Sequence, residues 1–237
     1  MPPSPPAARR ALPSRIVLAS ASPRRRELLA QIGVEADVIP AHIDEEAIRH
    51  DHPVTLAVEL ARAKARAVLE RLAGEPEAHA ASGPALLAAD TVVAVAGEIL
   101  EKPADRDDAR RMLELLSGRT HQVVTGVAVA WLDGNAGAVA SAPEDRIGTS
   151  PTLARSCETH VTFAELSAQE IDHYLDSDEW HDVAGGYRVQ GLAARYVTHL
   201  SGSYSNVVGL PLHLVYAILT GARTAGANRT KGADNHP

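Results

Sequence analysis

The alternation of strand and helix begins in residues 16–29, which read IVLASASPRRRELL. The apolar run at residues 16–19 is typical of a short buried strand. Ser22 suits a helix N-cap, Pro23 suits the first helical position, and the leucines beyond them continue a helix. A strand followed directly by a helix is the unit from which α/β folds are built, and the sequence therefore predicts this class.

Three arginines, Arg24 to Arg26, occupy the first turn of that predicted helix. A helix N-terminus carries free N–H groups and roughly half a positive charge, so an arginine there costs about 0.3–1 kcal/mol. The arrangement makes physical sense when an anion binds in the turn, and phosphate is the first candidate. The alternative is an ordinary turn whose arginines project into solvent. This stretch alone leaves both interpretations open.

Composition excludes several classes of protein. The 237 residues are enough for one large α/β domain or two small lobes, and a hydrophobic content of 45% allows a substantial core. Aromatic residues make up only 3%, so that core must consist mainly of alanine, valine and leucine. The net charge of −7 and the scarcity of aromatic rings argue against a nucleic-acid-binding protein.

The sequence also predicts a soluble protein of a reducing compartment, the cytoplasm. Its single cysteine, Cys157, excludes an intramolecular disulfide and a cysteine-rich zinc site. Residues 1–13 lack the apolar centre of a signal peptide. No segment approaches the roughly 18 apolar residues of a membrane span, so no membrane partner is expected.

One domain is predicted over residues 14–221. Residues 1–13 and 222–237 are polar or small without periodicity, and we expect both segments to be disordered. Residues 133–153 are rich in Gly, Ala, Ser and Pro, which predicts an exposed loop or insertion. Predicted strands lie at 36–39, 85–95, 121–131 and 158–163 and near Tyr196, and predicted helices at 54–72, 105–118, 167–175 and 211–219.

Asp90 is the first candidate for chemistry, because it is a carboxylate inside the otherwise apolar strand LLAADTVV at residues 86–93. A charged group in such a strand is costly unless it binds a metal, a cation or a helix end. Acids that face a cleft from a strand commonly act as general bases or metal ligands. A solvent-facing position, or a buried aspartate that caps a loop, is the alternative.

Other polar residues have a functional and a simpler interpretation. Lys64 lies in the long predicted helix, where it either reaches a phosphate or extends into solvent. Residues 44–46 are acidic; they form a solvated surface, or one of them shares a divalent cation with Asp90. The sequence contains no GxxxxGK[ST] loop and no GxGxxG fingerprint, which argues against P-loop enzymes and Rossmann dehydrogenases.

Six ordered motifs together resemble the Maf family, the septum-formation group of nucleotide pyrophosphatases, from about Ile16 to Leu219. The motifs are LASASPRR (18–25), ADTVV (89–93), GEILEKP (97–103), ETHVTF (158–163), VQG (189–191) and GSYSNVVGLPL (202–212). Any one of them is weakly specific, whereas six in order are highly specific. The sequence departs from the family pattern at Arg188, where a small residue is usual, and at Gly186, which is often alanine.

The resemblance implies both a fold and an activity. The fold is a Maf and inosine-triphosphatase-like twisted mixed sheet with flanking helices, two lobes around a deep cleft, and commonly a homodimer. The activity is hydrolysis of nucleoside triphosphates at the α–β bond, giving the monophosphate and pyrophosphate. The subgroup that this sequence resembles prefers dTTP and UTP, and a divalent cation, Mg²⁺ or Mn²⁺, is the implied cofactor.

The resemblance also implies the roles of individual residues. Asp90 matches the catalytic acid that activates water and helps to hold the metal, with Glu45 as a second metal ligand and Asp44 as its rival. Three residues match positions associated with substrate choice: Arg24, Thr91 and Gln190. Four match positions that line the phosphate site: Ser22, Arg25, Lys64 and Lys102.

Two other functions fit parts of the same pattern. A nucleotidyltransferase that joins a nucleotide to a sugar phosphate needs a similar metal, acid and cluster of cations. A regulatory protein of cell division could bind a nucleotide without hydrolysing it. The acid together with the cations favours the hydrolase, because a protein that only binds need not keep both.

Overall fold

A mixed eight-stranded sheet lies at the centre of the computed structural model, which describes residues 10–74, 83–132, 146–147 and 150–222. The strands are β1 (Arg15–Leu18), β2 (Glu35–Val38), β3 (Ala85–Val95), β4 (Glu98–Leu100), β5 (Thr120–Trp131), β6 (Arg146–Ile147), β7 (Ser150–Phe163) and β8 (Val197–Ser201). Their order is β2-β1-β3-β5-β7-β6, with β4 paired to β3 and β8 paired to β7. Strand β1 runs parallel to β2 and β3, and the other pairings are antiparallel. The mixed α/β sheet is therefore confirmed, whereas the two-lobe arrangement stays a prediction.

Helices flank this sheet. They are α1 (Pro23–Gln31), α2 (Pro53–Ala73), α3 (Arg106–Leu116), α4 (Ala168–Leu175), α5 (Tyr204–Val208) and α6 (Leu212–Thr220), with short 3₁₀ helices at Ala184–Gly186 and Leu192–Tyr196. Residues of α1 and α6 pack with Ile16 and Leu18, while residues of α2 pack with Val17 and Ala19. Because successive side chains of a strand point to opposite faces, β1 separates these two layers of core. None of the described helices has the length and apolar character that a membrane crossing needs.

Local signals placed several elements correctly. Helix α1 begins at Pro23 directly after Ser22, although the Ser22 side chain makes no capping hydrogen bond. The helix predicted at 167–175 is present as α4 and begins with a capping box, in which the Ser167 N–H donates to Glu170 Oε2 over 2.8 Å. Ala96 and Gly97 both have positive φ, as a tight hairpin turn between β3 and β4 requires.

The predicted insertion at 133–153 is wrong at its C-terminal end. Residues 146–147 form β6, and β7 already begins at Ser150, where Thr152 and Leu153 pair with Ala130 and Val129 of β5. The local composition does not reveal this part of the strand, because it forms by pairing with residues more than twenty positions earlier in the chain. Residues 133–145 and 148–149 lie outside the described residues.

The predicted disorder of residues 10–13 and of Ala222 is also wrong. The Arg10 N–H donates to the Thr220 carbonyl over 2.9 Å, and Leu12 packs against the core cluster beneath α1 and α6. The Ala222 N–H donates to Thr220 Oγ1 over 3.3 Å. Contacts with the end of α6 therefore order both segments, while residues 1–9 and 223–237 lie outside the described residues.

His121 of β5 is a buried titratable group within the aromatic part of the core. Its Nε2 lies 2.7 Å from the Tyr187 hydroxyl, and its ring meets Phe163 and Tyr187 edge to face. Burial is the main cause that lowers the pKa of His121 from 6.5 to about 4. In the folded protein the imidazole therefore stays neutral at pH values where an exposed histidine is protonated.

This burial predicts a loss of stability in mild acid. Between about pH 6.5 and pH 4 the unfolded chain binds the His121 proton and the folded chain does not, so the free energy of unfolding falls as pH falls. At pH 4 the burial of His121 accounts for a loss of about 3 kcal/mol in the free energy of unfolding. Urea unfolding across this range should show that slope reduced in His121→Gln. Parallel pH profiles for the two proteins would contradict the prediction.

Candidate active site

One cleft of about 920 Å³ receives side chains from the β1–α1 turn, the loop at residues 41–46, α2, β3, the loop after β4, and residues 182–190. All nine residues predicted for the site line it: Ser22, Arg24, Arg25, Glu45, Lys64, Asp90, Thr91, Lys102 and Gln190. Their sequence separation is large, so only the fold brings them together. Their placement in a single cleft is a finding, and their individual roles stay predictions.

An alternating chain of acids and lysines crosses the cleft. The Lys64 ammonium pairs with Asp90 and lies 2.8 Å from Glu45 Oε1, and Lys102 Nζ lies 3.1 Å from Glu45 Oε2. Asp90 and Lys64 are both buried, with 8% and 7% of their surfaces exposed. Asp90 therefore neither faces solvent nor caps a loop, and Lys64 does not extend into solvent.

Glu45 sits at the more open end of this chain. Burial alone would raise the pKa of Glu45, but the hydrogen bonds and charges of Lys64 and Lys102 outweigh it and lower the pKa. Its neighbour Asp44 instead accepts a hydrogen bond from the Ala47 N–H over 3.3 Å, within its own loop. Glu45 is therefore the acid of this loop that reaches the Lys64 ammonium.

Gly126 explains how Lys64 reaches Asp90. It pairs directly with Asp90 across β3 and β5, and α2 passes over it. A Cβ at Gly126 would lie 2.1 Å from the Ala57 carbonyl oxygen, so only glycine allows α2 to come this close. The close approach brings the side of α2 that carries Lys64 over the centre of β3.

Arg25 is buried, and its guanidinium donates hydrogen bonds to three other residues of the protein. Its Nε donates to the Gly209 carbonyl over 2.9 Å, Nη1 to Ser20 Oγ over 3.1 Å, and Nη2 to Thr91 Oγ1 over 3.3 Å. Burial lowers the pKa of Arg25, and the charges of Asp90 and Glu45 act in the opposite direction. Arg25 thus joins the start of α1 to β3 while its charge remains at the cleft.

The three arginines of the first turn of α1 differ in their surroundings. Arg24 is half-buried and lines the cleft, whereas Arg26 is exposed and lies outside it. Burial, followed by repulsion from Arg188 and Arg25, lowers the pKa of Arg24. The solvent-facing alternative therefore holds for Arg26 and fails for the other two.

Thr91 belongs to a buried hydrogen-bond network that the sequence did not predict. Thr91 Oγ1 lies 2.9 Å from Thr125 Oγ1, and Thr125 donates to the Asn206 carbonyl over 3.1 Å. The buried Asn206 amide donates to the Val123 carbonyl and to Thr159 Oγ1, each over 3.0 Å. The motif at 202–212 contains Asn206, but the sequence alone does not reveal which groups its side chain binds.

The acids of the cleft fit part of a divalent-cation site. Within the described ranges, no group of three or more His, Cys, Asp or Glu side chains is placed to hold a metal. Asp90 and Glu45 nevertheless converge on one cation, the ammonium of Lys64. Mg²⁺ is commonly held by one or two carboxylates together with substrate phosphates and water, and this pair of acids fits that donor set.

Gln190 and Ser22 lie at the edges of the cleft. Gln190 is exposed, and Ser22 is half-buried with its N–H donating to Ser20 Oγ over 3.2 Å. Two further residues of this region also line the cleft, Asp182 and Arg188. The sequence marked Arg188 only as a departure from the family pattern, and nothing in its local pattern marked Asp182.

Comparisons with known proteins place the sequence in a family. A family model described as Maf-like protein matches residues 15–222. A protein of Brucella abortus (strain 2308) named dTTP/UTP pyrophosphatase is 48% identical over 206 residues, which cover 86% of this chain and 90% of that protein. Proteins with the same name from Caulobacter vibrioides and Chelativorans sp. are 47% and 43% identical, over 94% and 90% of their lengths and 87% of this chain.

Proposed function

The chain belongs to the Maf family, and on that premise we propose that it hydrolyses nucleoside triphosphates to the monophosphate and pyrophosphate, with dTTP and UTP as preferred substrates. The names of the Brucella, Caulobacter and Chelativorans relatives support this activity and these substrates. One observation carries the proposal, namely the cleft in which the buried Asp90 meets a cluster of cations.

The cations of the cleft suit a triphosphate, which carries close to four negative charges that must be neutralised before a nucleophile can approach phosphorus. Arg24, Lys64 and Lys102 bring fixed positive charge to the space next to Asp90. In phosphoryl transfer most of the rate gain comes from positioning and charge stabilisation, and preorganised cations supply both.

We propose that Asp90 activates the water molecule that attacks the substrate. Its carboxylate can orient that water and accept its proton, as a general base does. Lys64 holds Asp90 in position from the side of α2, and Gly126 makes room for that contact. Asp90 and Glu45 would hold a Mg²⁺ or Mn²⁺ ion. Such an ion neutralises phosphate charge and acts as a Lewis acid when bound.

Pyrophosphate release from the purified chain tests the proposed function. We expect release from dTTP and UTP with Mg²⁺ or Mn²⁺ present, in equal amounts with the monophosphate, and slower release from CTP and GTP. A sugar 1-phosphate should leave the rate of triphosphate consumption unchanged. Faster consumption with the sugar phosphate would identify a nucleotidyltransferase, and binding without any product would identify a regulatory protein.

Gln190 is proposed to take part in the choice of base, since its amide offers both a donor and an acceptor to a base edge. We expect Gln190→Ala to change the ranking of dTTP, UTP, CTP and GTP by kcat/KM, with a smaller effect on kcat for dTTP. A lost hydrogen bond to the base corresponds to about a 10-fold change in discrimination. If the ranking of the four nucleotides stays the same, Gln190 does not read the base.

Assembly and location are further parts of the proposal. We propose a homodimer, on the resemblance to the family, which sedimentation or light scattering of the purified protein would test. We also propose a cytoplasmic location, supported by the single cysteine of the sequence and by the nucleotide substrate.

A further inference from the structure

Arg188 is held firmly at the wall of the cleft. Its N–H donates to the Tyr174 hydroxyl over 3.0 Å, and its carbonyl accepts the Gly191 N–H over 3.0 Å. One arm of the guanidinium, Nη2, donates to the His181 carbonyl over 3.0 Å. The contacts hold both the backbone of Arg188 and its guanidinium in place. Less conformational entropy is therefore lost when this side chain binds a ligand.

Most hydrogen-bonding capacity of the Arg188 guanidinium is unused. A guanidinium has five N–H donors, and that of Arg188 makes one hydrogen bond to the described part of the chain. Its Nε is shielded from solvent and has no hydrogen-bond partner there. A buried donor without a partner is costly, and because Arg188 lines the cleft, a ligand there that accepts from its guanidinium would offset part of that cost.

The positive charges of Arg188 and Arg24 are also less neutralised than those of the two lysines of the cleft, Lys64 and Lys102. Neither Arg188 nor Arg24 forms an ion pair with any described residue, whereas Lys64 and Lys102 both pair with Glu45. After burial, Arg188 is the charged neighbour that most lowers the pKa of Arg24, and the carboxylates of Glu27 and Asp182 act more weakly in the opposite direction. Arg24 and Arg188 both line the same cleft, so their two guanidinium groups bring positive charge to one space and repel each other there.

We propose that Arg188 contacts the substrate directly, and that its guanidinium and that of Arg24 together bind a phosphate group of the triphosphate. An anion between the two cations removes their repulsion, whereas the neutral carbonyl of a base would leave most of it in place. The inference rests on the proposed function, because it concerns a group of the same substrate. It assigns a role to a residue at which this chain departs from its family.

Inorganic tripolyphosphate is the probe that separates a phosphate contact from a base contact, because it has no base. We expect Arg188→Met, which keeps the length of the side chain and removes its charge, to weaken tripolyphosphate binding in calorimetry by about 10-fold or more. The same variant should raise KM by a similar factor for dTTP, UTP, CTP and GTP. Arg188→Lys should recover part of the affinity.

Arg26→Met serves as the matched control, because it removes one charge from the same region at an exposed position outside the cleft. Its tripolyphosphate affinity should equal that of the parent protein. If both arginines bind one group, the loss in a double variant of Arg24 and Arg188 should be smaller than the product of the single losses.

Three results would overturn the inference. These are an unchanged tripolyphosphate affinity in Arg188→Met, a changed ranking of the nucleotides without a uniform rise in KM, or independent losses at Arg24 and Arg188. Binding by calorimetry does not need turnover, so these outcomes are distinct from a failure of the parent protein to release pyrophosphate, which concerns the proposed function itself.

Discussion

Replacing Asp90 by asparagine should lower kcat for dTTP by about 10²–10⁴-fold, the range that a lost general base typically costs. Asparagine keeps the shape of the side chain and removes its charge, so it cannot accept the proton of the attacking water. Lys64 keeps a carboxylate partner in Glu45, 2.8 Å away, and the fold should therefore survive. Initial rates of pyrophosphate release, with thermal unfolding measured on the same sample, check both expectations.

The affinity of the variant for nucleotide should change far less than its turnover, because Arg24 and Lys102 remain in the cleft. Asp37→Asn is the matched control. It makes the same chemical change on β2, where Asp37 pairs with Arg15 on the surface, and such pairs contribute little. Hydrolysis of dTTP by Asp90→Asn at the parental rate would remove Asp90 from the mechanism.

Gly126→Ala should destabilise the protein by about 3 kcal/mol or more, at the upper end of the costs of overpacking. The added methyl group would meet the Ala57 carbonyl oxygen at 2.1 Å and the Val58 nitrogen at 2.6 Å. Both are backbone atoms, so no side chain can rotate away and α2 must move off the sheet. Because α2 carries Lys64, we also expect lower kcat in whatever protein folds.

Gly74→Ala provides the comparison for this substitution. Gly74 ends α2 with ordinary helical angles, and a Cβ there would lie 3.4 Å from the Arg71 carbonyl oxygen. Its effect on the free energy of unfolding should be within about 0.5 kcal/mol. Equal urea midpoints for the two alanine variants would contradict the close packing of the α2 backbone against Gly126.

The local elements of this fold could be predicted because short-range chemistry determines them. Ser22 and Pro23 mark the start of α1, Ser167 and Glu170 form a capping box, and Ala96 with Gly97 forms a turn. The first half of β7 could not be predicted in this way. Its residues become a strand by pairing with β5, a contact between distant parts of the chain that composition does not reveal.

The residues of the site also divide into those that local sequence identifies and those that only the fold reveals. Asp90 was identifiable from its own surroundings, because a charge within an apolar strand requires a partner. That the partner is Lys64, 26 positions earlier, depends on how closely α2 packs against Gly126, which no local pattern encodes. Gln190 was identified through the resemblance to a family, and the buried Nε of Arg188, which has no partner among the described residues, became visible only in three dimensions.

A crystal structure of the Asp90→Asn variant with dTTP would show directly whether the cleft brings residue 90 to the α–β bond, since this variant should bind the nucleotide and hydrolyse it far more slowly. We expect the triphosphate inside the cleft, with residue 90 facing the α–β bridge and the side chains of Arg24 and Lys102 on phosphate oxygens. A nucleotide bound elsewhere on the protein, or a phosphate chain that residue 90 cannot reach, would contradict this expectation.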